Sequence, residues 1–319
     1  MTKPPGIIIT RKGAHLGAEV RGVDFSKPLA KKNRQAIADA LAKHEVLVFP
    51  EIDITVQEQA AFGKQFGELS VHPFSPHDAQ MPELIILDND GKHPPLATDI
   101  WHSDETFREE PPMATILRAR IVPDVGGDTV FASMTAAFEG LSERWQCFLT
   151  GLEAVHDFKP FRRLYSGDPA SRGKLHDMEE AFPNPVHPVV RLHPVTGKKV
   201  IFVSPQFTQH ITGMTESESS AILDMLYRLA EVPEYQFRVT WKPGTMVFWD
   251  NRSVQHYAAR DYLPHRRRME RVTLKGGKVL GAADAMNGLV SADGDLGAGA
   301  NKKPEARQQA DLDSYRGTN

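Results

Sequence analysis

The order of apolar and polar positions divides the chain into short β-like runs with a few helices between them. "GIIITR" and "GAEVRGVDF" near the start each predict a strand. "NRQAIADALAKHE" instead carries apolar residues at helical spacing, and it runs into "VLVFP", whose unbroken apolar character predicts a buried strand. Two capping boxes mark helix starts. Thr55-Val56-Gln57-Glu58 opens a helix through "QAAFGKQFG" expected to end near Gly67, and Thr215-Glu216-Ser217-Glu218 opens "SSAILDMLYRLAEV". "ERWQCFLTGL" also predicts a helix, with Cys147 as a small core residue. The segments "ATILRARIV", "GDTVFAS", "HPVVRLHP", "KKVIFVS", "YQFRVTW", "TMVFWDN" and "RVTLKGG" are short, β-like and broken by Pro and Gly. Many short strands with few helices predict a mainly β fold with flanking helices, a sandwich or barrel.

Two stretches break the pattern. "HDFKPFRRLYSG" mixes basic and aromatic residues before a polar run of low periodicity to about Pro185, and is expected to form a lid. From about Gly281 the chain is rich in Gly, Ala, Asp and Lys, which predicts one domain over residues 1–280 and a flexible tail over 281–319.

Composition narrows the class. The 319 residues are 40% hydrophobic and 25% charged with a net charge of -3, enough for a sizeable core and without the basic excess of a nucleic-acid binder. No apolar run reaches membrane-spanning length, and the start turns polar too soon for a signal peptide. A single cysteine excludes an intramolecular disulfide, so a cytoplasmic protein is expected.

The candidate chemistry begins at "WHSDETF", residues 101–107. On an extended strand His102 and Asp104 would share one face, with Ser103 and Glu105 on the other. An imidazole and a carboxylate can reach one ion, but a firm site needs a third donor, and His256 in "FWDNRSVQHYAARDY" is the best candidate. Two histidines and one carboxylate form the facial triad of non-haem Fe(II) oxygenases. The same donors would suit a zinc hydrolase, and a His-x-Asp pair alone can be a hydrogen-bonding pair. Arg267 and Arg271 lie four apart in "RRRMERVTL", after a turn at Pro264, and would face one way if extended. Their planar forks suit a bound carboxylate beside the metal. The other reading of this run, a solvated face or nucleic-acid patch, lacks interleaved aromatics. His77, His187 and His193 sit beside prolines or in turns and read as structural, while His156 and Asp157 would point apart on a strand.

Taken together, "WHSDETF", "VGGDTVFASM", "GTMVFWDNRSVQHYAARDY" and "RRRMERVTL", in that order, resemble the taurine/2,4-D dioxygenase family from about Ile7 to Gly276. The resemblance implies a double-stranded β-helix (jelly roll, cupin-like) and three cofactors or co-substrates: Fe(II), 2-oxoglutarate and O2. It implies hydroxylation of a small organic substrate, such as a sulfonate, with release of succinate and CO2. Aryloxyalkanoates and alkyl sulfate esters are the alternatives within the family, and a non-catalytic jelly-roll binding protein is the alternative outside it. By the resemblance His102, Asp104 and His256 are the metal ligands. Thr129 and Arg267 hold the distal carboxylate of 2-oxoglutarate, and Arg271 lies near its chelating end and the substrate's acid group. Gly126 and Gly127 make a tight turn, Trp249 is a core or wall residue, and Asp250 and Asn251 hold a turn. His72 matches the histidine that meets sulfonate in taurine-type members. At the other substrate positions the chain departs: Ser75 for tyrosine, Thr98 for asparagine, Phe161 and Arg162 for serine and phenylalanine, and Glu105 for a small apolar residue. A homo-oligomer is expected, with neither nucleic acid nor membrane as partner.

Overall fold

The computed structural model describes residues 6–74, 80–90, 98–165 and 169–283. Ser75, His77 and nearly all of the expected tail lie outside the described residues. The strands are β1 (Ile8–Arg11), β2 (Ala18–Arg21), β3 (Val46–Phe49), β4 (Leu69–Ser70), β5 (Ile85–Asn89), β6 (Ala114–Ile121), β7 (Thr129–Ser133) and β8 (Glu153–His156). They continue as β9 (Val186–Pro188), β10 (Val190–Leu192), β11 (Lys199–Ile201), β12 (Thr208–Ile211), β13 (Gln236–Val239), β14 (Met246–Asp250), β15 (Val254–Ala258) and β16 (Arg267–Leu274). The helices among the described residues are α1 (Lys31–His44), α2 (Val56–Lys64), α3 (Met134–Glu139), α4 (Glu143–Leu149), α5 (Pro169–Ala181) and α6 (Glu216–Arg228).

A large sheet runs β1-β2-β3-β14-β6-β16-β4, with β5 also paired to β16. It is antiparallel except where β2 meets β3. A smaller sheet, β13-β7-β15, lies against it, and together they make the expected jelly roll. The packing follows from alternation along buried strands. On β14, Met246 and Phe248 join Leu47, Phe49, Ile116 and the helical residues Ile37, Leu41 and Phe62 in one core. Val247 and Trp249 point the other way, into a second core with Phe131, Val239 and Val254 of the smaller sheet. On β16 Val272 and Leu274 face the helices, while Met269 faces the space between the sheets. Arg267 and Arg271 share the parity of Met269, so both are aimed between the sheets as the four-residue spacing predicts.

Both capping boxes are present, each with the threonine accepting from the N3 amide and the glutamate returning to the cap, and α2 ends at Lys64, just before Gly67. Two expectations need correction. Cys147 is exposed, because α4 buries only Leu149. The polar run before Pro185 includes α5, whose residues Met178 and Leu175 pack with Phe158, Phe107 and Phe207. Its apolar positions are too sparse to announce a helix by periodicity alone.

Glu45 follows α1 at a left-handed φ of 61° and is buried. Burial pushes its carboxyl up from an ordinary 4.5 to about 8, against the hydroxyls of Thr135 and Ser133, which lower it. Between those values the folded chain holds a proton that the unfolded chain has released. Its contribution to stability is therefore full below pH 4.5 and is lost as the pH rises towards about 8. The slope should reach up to ~1.4 kcal/mol per pH unit. Glu45→Gln, which mimics the protonated acid, should flatten that dependence in denaturant unfolding across the same range. An unchanged slope would remove Glu45 as its source.

Candidate metal and 2-oxoglutarate site

"WHSDETF" is not the strand its alternation suggested. His102 forms an isolated bridge to His256, each amide donating to the other's carbonyl at 3.1 and 2.7 Å. The chain then turns through residues 104–107, with Glu105 at φ 49° and the Arg108 amide donating to the Glu105 carbonyl at 3.1 Å. His102 and His256 are thus brought together across the bridge, their rings 4.1 Å apart, and Asp104 enters from the turn. Asp104 Oδ1 lies 4.0 Å from His102 Nε2 and 3.8 Å from His256 Nε2. One ligand atom from each of the three falls within 4.8 Å of the others, all buried.

Neighbouring groups aim these donors. His102 Nδ1 donates to the Ile100 carbonyl at 2.7 Å, which directs Nε2 and its lone pair at Asp104. The His256 ring lies between Trp249 and Phe131, with centroids at 4.9 and 5.9 Å. Asp104 Oδ2 accepts from Thr115 Oγ1 at 2.6 Å, and Asn251 Nδ2 donates to that hydroxyl at 2.9 Å. Trp249 Nε1 fixes the Asn251 amide by donating to its oxygen at 2.8 Å. Asn251 was expected to hold a turn, and it also reaches the Asp104 carboxylate through Thr115. Thr115→Val should weaken divalent-metal affinity by about 10- to 100-fold, measured by Mn(II) titration. Undiminished affinity would show that the hydroxyl does not orient Asp104.

Burial alone would raise the Asp104 carboxyl. The Arg271 guanidinium, with Nη2 3.1 Å from Oδ1, the two imidazoles and Thr115 outweigh it and hold the group well below the usual carboxylate range. Burial lowers both histidines, His256 to about 3. Two neutral imidazoles and one ionised carboxylate are the donor set a ferrous ion requires.

A cavity extends from His102 and His256 past Thr129 and Tyr262 to Arg267 and Arg271. Arg267 is 7% exposed, and its Nη2 has no hydrogen-bond partner among the described residues. Its Nε donates to the Gly127 carbonyl at 3.2 Å. Gly126 and Gly127 take φ of 83° and 71°, and a Cβ on Gly127 would press on the Arg267 side chain at 3.2 Å, so the double-glycine turn leaves room for the arginine. Trp241 Nε1 donates to Thr129 Oγ1 at 3.0 Å, which leaves the threonine proton for an acceptor in the cavity. A buried guanidinium with an unused donor, on the same cavity as a hydroxyl that still has its proton to give, suits one carboxylate.

The substrate candidates divide. His72 is buried and its Nε2 is 3.9 Å from Glu105 Oε1, so Glu105 turns towards His72 instead of the opposite face that strand alternation predicted. Phe161 lies 5.6 Å from the His72 ring, and Thr98 lines the cavity. Arg162 is engaged elsewhere. It pairs with Asp157 at 3.1 Å and with Glu179 of α5, and stacks over Phe158. His187 donates to the Thr106 and Arg108 carbonyls at 3.0 and 2.9 Å, and His193 meets Asp250 at 3.0 Å, both structural as expected. Sequence reasoning missed Thr115, Trp241 and Tyr262. Their only local signal is a polar or aromatic residue within an otherwise apolar strand or its approach.

A jelly roll carrying this triad and a buried arginine on one cavity is the arrangement of the 2-oxoglutarate-dependent dioxygenases. The family model described as "Taurine catabolism dioxygenase TauD, TfdA family" matches residues 9–273. The alpha-ketoglutarate-dependent sulfate ester dioxygenase of Pseudomonas putida is 36% identical over 270 residues, covering 82% of this chain and 87% of the relative. The alkylsulfatase of Acinetobacter baylyi is 33% identical over 288 residues, covering 89% of both. A solved taurine dioxygenase from Burkholderia xenovorans has a TM-score of 0.75 at 34% identity, covering 88% of this chain and 94% of that one. This chain belongs to the TauD/TfdA family and is an alpha-ketoglutarate (2-oxoglutarate)-dependent dioxygenase, with Fe(II), 2-oxoglutarate and O2 as cofactor and co-substrates.

Proposed function

We propose that His102, Asp104 and His256 hold the iron and that Thr129 and Arg267 hold the distal carboxylate of 2-oxoglutarate. Arg271 then lies beside the chelating end of the co-substrate. Iron so bound supplies O2 activation coupled to conversion of 2-oxoglutarate to succinate and CO2, with hydroxylation of a substrate carbon. The chain's own part is geometric and electrostatic. Asp104, oriented by Thr115, offers one oxygen to the metal, and His102 and His256 each offer Nε2. Trp249, Phe131 and Leu117 keep water from the inner wall. The observation that carries this reading is the orphaned Arg267 Nη2 at the far end of the cavity that begins at the two histidines.

The substrate side holds His72, Phe161 and Thr98, with Ser75 outside the described residues. The relatives named above act on sulfate esters and taurine, which carry acid groups. His72, Arg108 and Arg271 are the groups here that would meet such an acid, and Glu105 already lies among them. The same proposal places the protein in the cytoplasm as a homo-oligomer. Among the described residues no helix is long and apolar enough to cross a membrane.

The test is anaerobic addition of Fe(II) and 2-oxoglutarate to the purified protein. A weak metal-to-ligand charge-transfer band and a raised melting temperature are expected, followed by succinate release on admission of O2. A folded protein with no band would overturn the assignment of the triad, and a band without oxygen-dependent succinate would favour a binding protein.

A further inference from the structure

Glu105 is buried, 2% exposed, and follows Asp104 directly in the chain. Its backbone sits at φ 49°, a conformation that disfavours any residue with a Cβ. Three basic side chains surround its head. Arg108 Nε donates to Oε2 at 2.7 Å, Arg271 Nη2 lies 3.4 Å from Oε1, and His72 Nε2 lies 3.9 Å from Oε1. These groups come from three separate parts of the chain and converge on one carboxylate. Arg271 makes two further contacts, with Nε donating to Thr273 Oγ1 at 3.0 Å and Nη2 also facing Asp104 Oδ1 at 3.1 Å.

The walls around this spot are apolar. Phe161 stands 5.6 Å from His72 and stacks on Phe74 at 4.9 Å, and Phe207 lies 6.2 Å from both His102 and Phe161. An incoming sulfonate, sulfate or carboxylate would have to displace Glu105 from its partners. Otherwise it would find its basic partners already taken and its own oxygens without donors in an apolar surround.

We propose that Glu105 fills, from within the chain, the place an acid group of the substrate would take among Arg271, Arg108 and His72, so that the substrate presents an uncharged, apolar portion to the metal. The inference rests on the dioxygenase reading of the site. It gives the aromatic wall a purpose, since Phe161 and Phe207 then pack against an alkyl or aryl body. It makes Glu105 a specificity-determining residue, acting through space and hydrogen bonds it already occupies.

The test pairs acids with uncharged analogues: phenoxyacetate against 2-phenoxyethanol, and hexyl sulfate against hexyl methyl ether. Binding to the Mn(II)- and 2-oxoglutarate-loaded protein is measured by calorimetry, and succinate release with Fe(II) in air is measured alongside. The wild type should bind the uncharged member of each pair more tightly. Glu105→Ala should tighten binding of the acids by at least ~10-fold, because it vacates Arg108, Arg271 and His72, which the glutamate side chain otherwise occupies. Glu105→Gln, which keeps the volume but not the charge, should show a smaller gain. A wild type that prefers the acids overturns the inference. So do variants that still take up 2-oxoglutarate but bind the acids no better. If Glu105→Ala does not fold, the wild-type ranking and Glu105→Gln decide. A wild type that takes up neither Mn(II) nor 2-oxoglutarate would sink the dioxygenase reading itself and this inference with it.

Discussion

Replacing Asp104 with alanine should abolish iron-dependent turnover and reduce metal uptake below detection at concentrations that saturate the wild type. Asp104 is the only anionic donor of the three, and its Oδ1 lies about equally far from both histidine nitrogens, at 4.0 and 3.8 Å. Without it, two neutral imidazoles and the Arg271 cation would face a divalent ion, and the electrostatic attraction that selects a hard cation is gone. The loss also strands the Thr115 hydroxyl and one face of Arg271. Metal uptake measured by Mn(II) spin resonance separates loss of the site from loss of fold, with far-ultraviolet dichroism as the control. Wild-type succinate production in Asp104→Ala, or in the parallel His102→Ala, would refute the ligand assignment.

Arg267→Ala should raise the KM for 2-oxoglutarate about 10²-fold while changing the rate at saturation much less. The guanidinium is nearly enclosed, with Tyr262 and Trp241 rings at 5.7 and 5.9 Å and an Nη2 that the protein itself does not satisfy. Burial lowers its pKa, but a guanidinium keeps its proton, so the cavity holds a fixed cation in a dry setting. Arg267→Lys should recover only part of the loss, since a point charge cannot make the two parallel bonds of the fork. The readout is KM against kcat for 2-oxoglutarate, with the thermal shift on adding 2-oxoglutarate and Mn(II) as a second measure. An unchanged KM would remove Arg267 from co-substrate binding.

Much of this site was legible because its elements carry local signals. The alternation on β14 and β16 predicts which side chains enter the space between the sheets, and the Arg267–Arg271 spacing follows from it. Thr55 and Thr215 announce their helices through the glutamate three residues on. What stayed hidden depends on contacts between residues far apart in the chain. Thr115 meets Asp104 across 11 positions, and Asn251 meets Thr115 across 136. Neither bond leaves a trace in spacing. The turn at Asp104 was hidden because the residues of "WHSDETF" alternate well enough for a strand. Only the pairing of His102 with His256, followed by the left-handed Glu105, breaks the extended path. That single backbone angle also reverses the expected direction of Glu105.

The mutual backbone bonds of His102 and His256 bear on metal exchange at the proposed site. His256 belongs to β15, which is laddered to β7, and Asp104 hangs from Thr115 in the middle of the large sheet. The three candidate donors are thus tied to strands of both sheets by hydrogen bonds within the protein itself. On the proposed ligand assignment the donors are held by bonds that do not involve the ion, so a chelated protein should keep its fold and take up Mn(II) again without refolding.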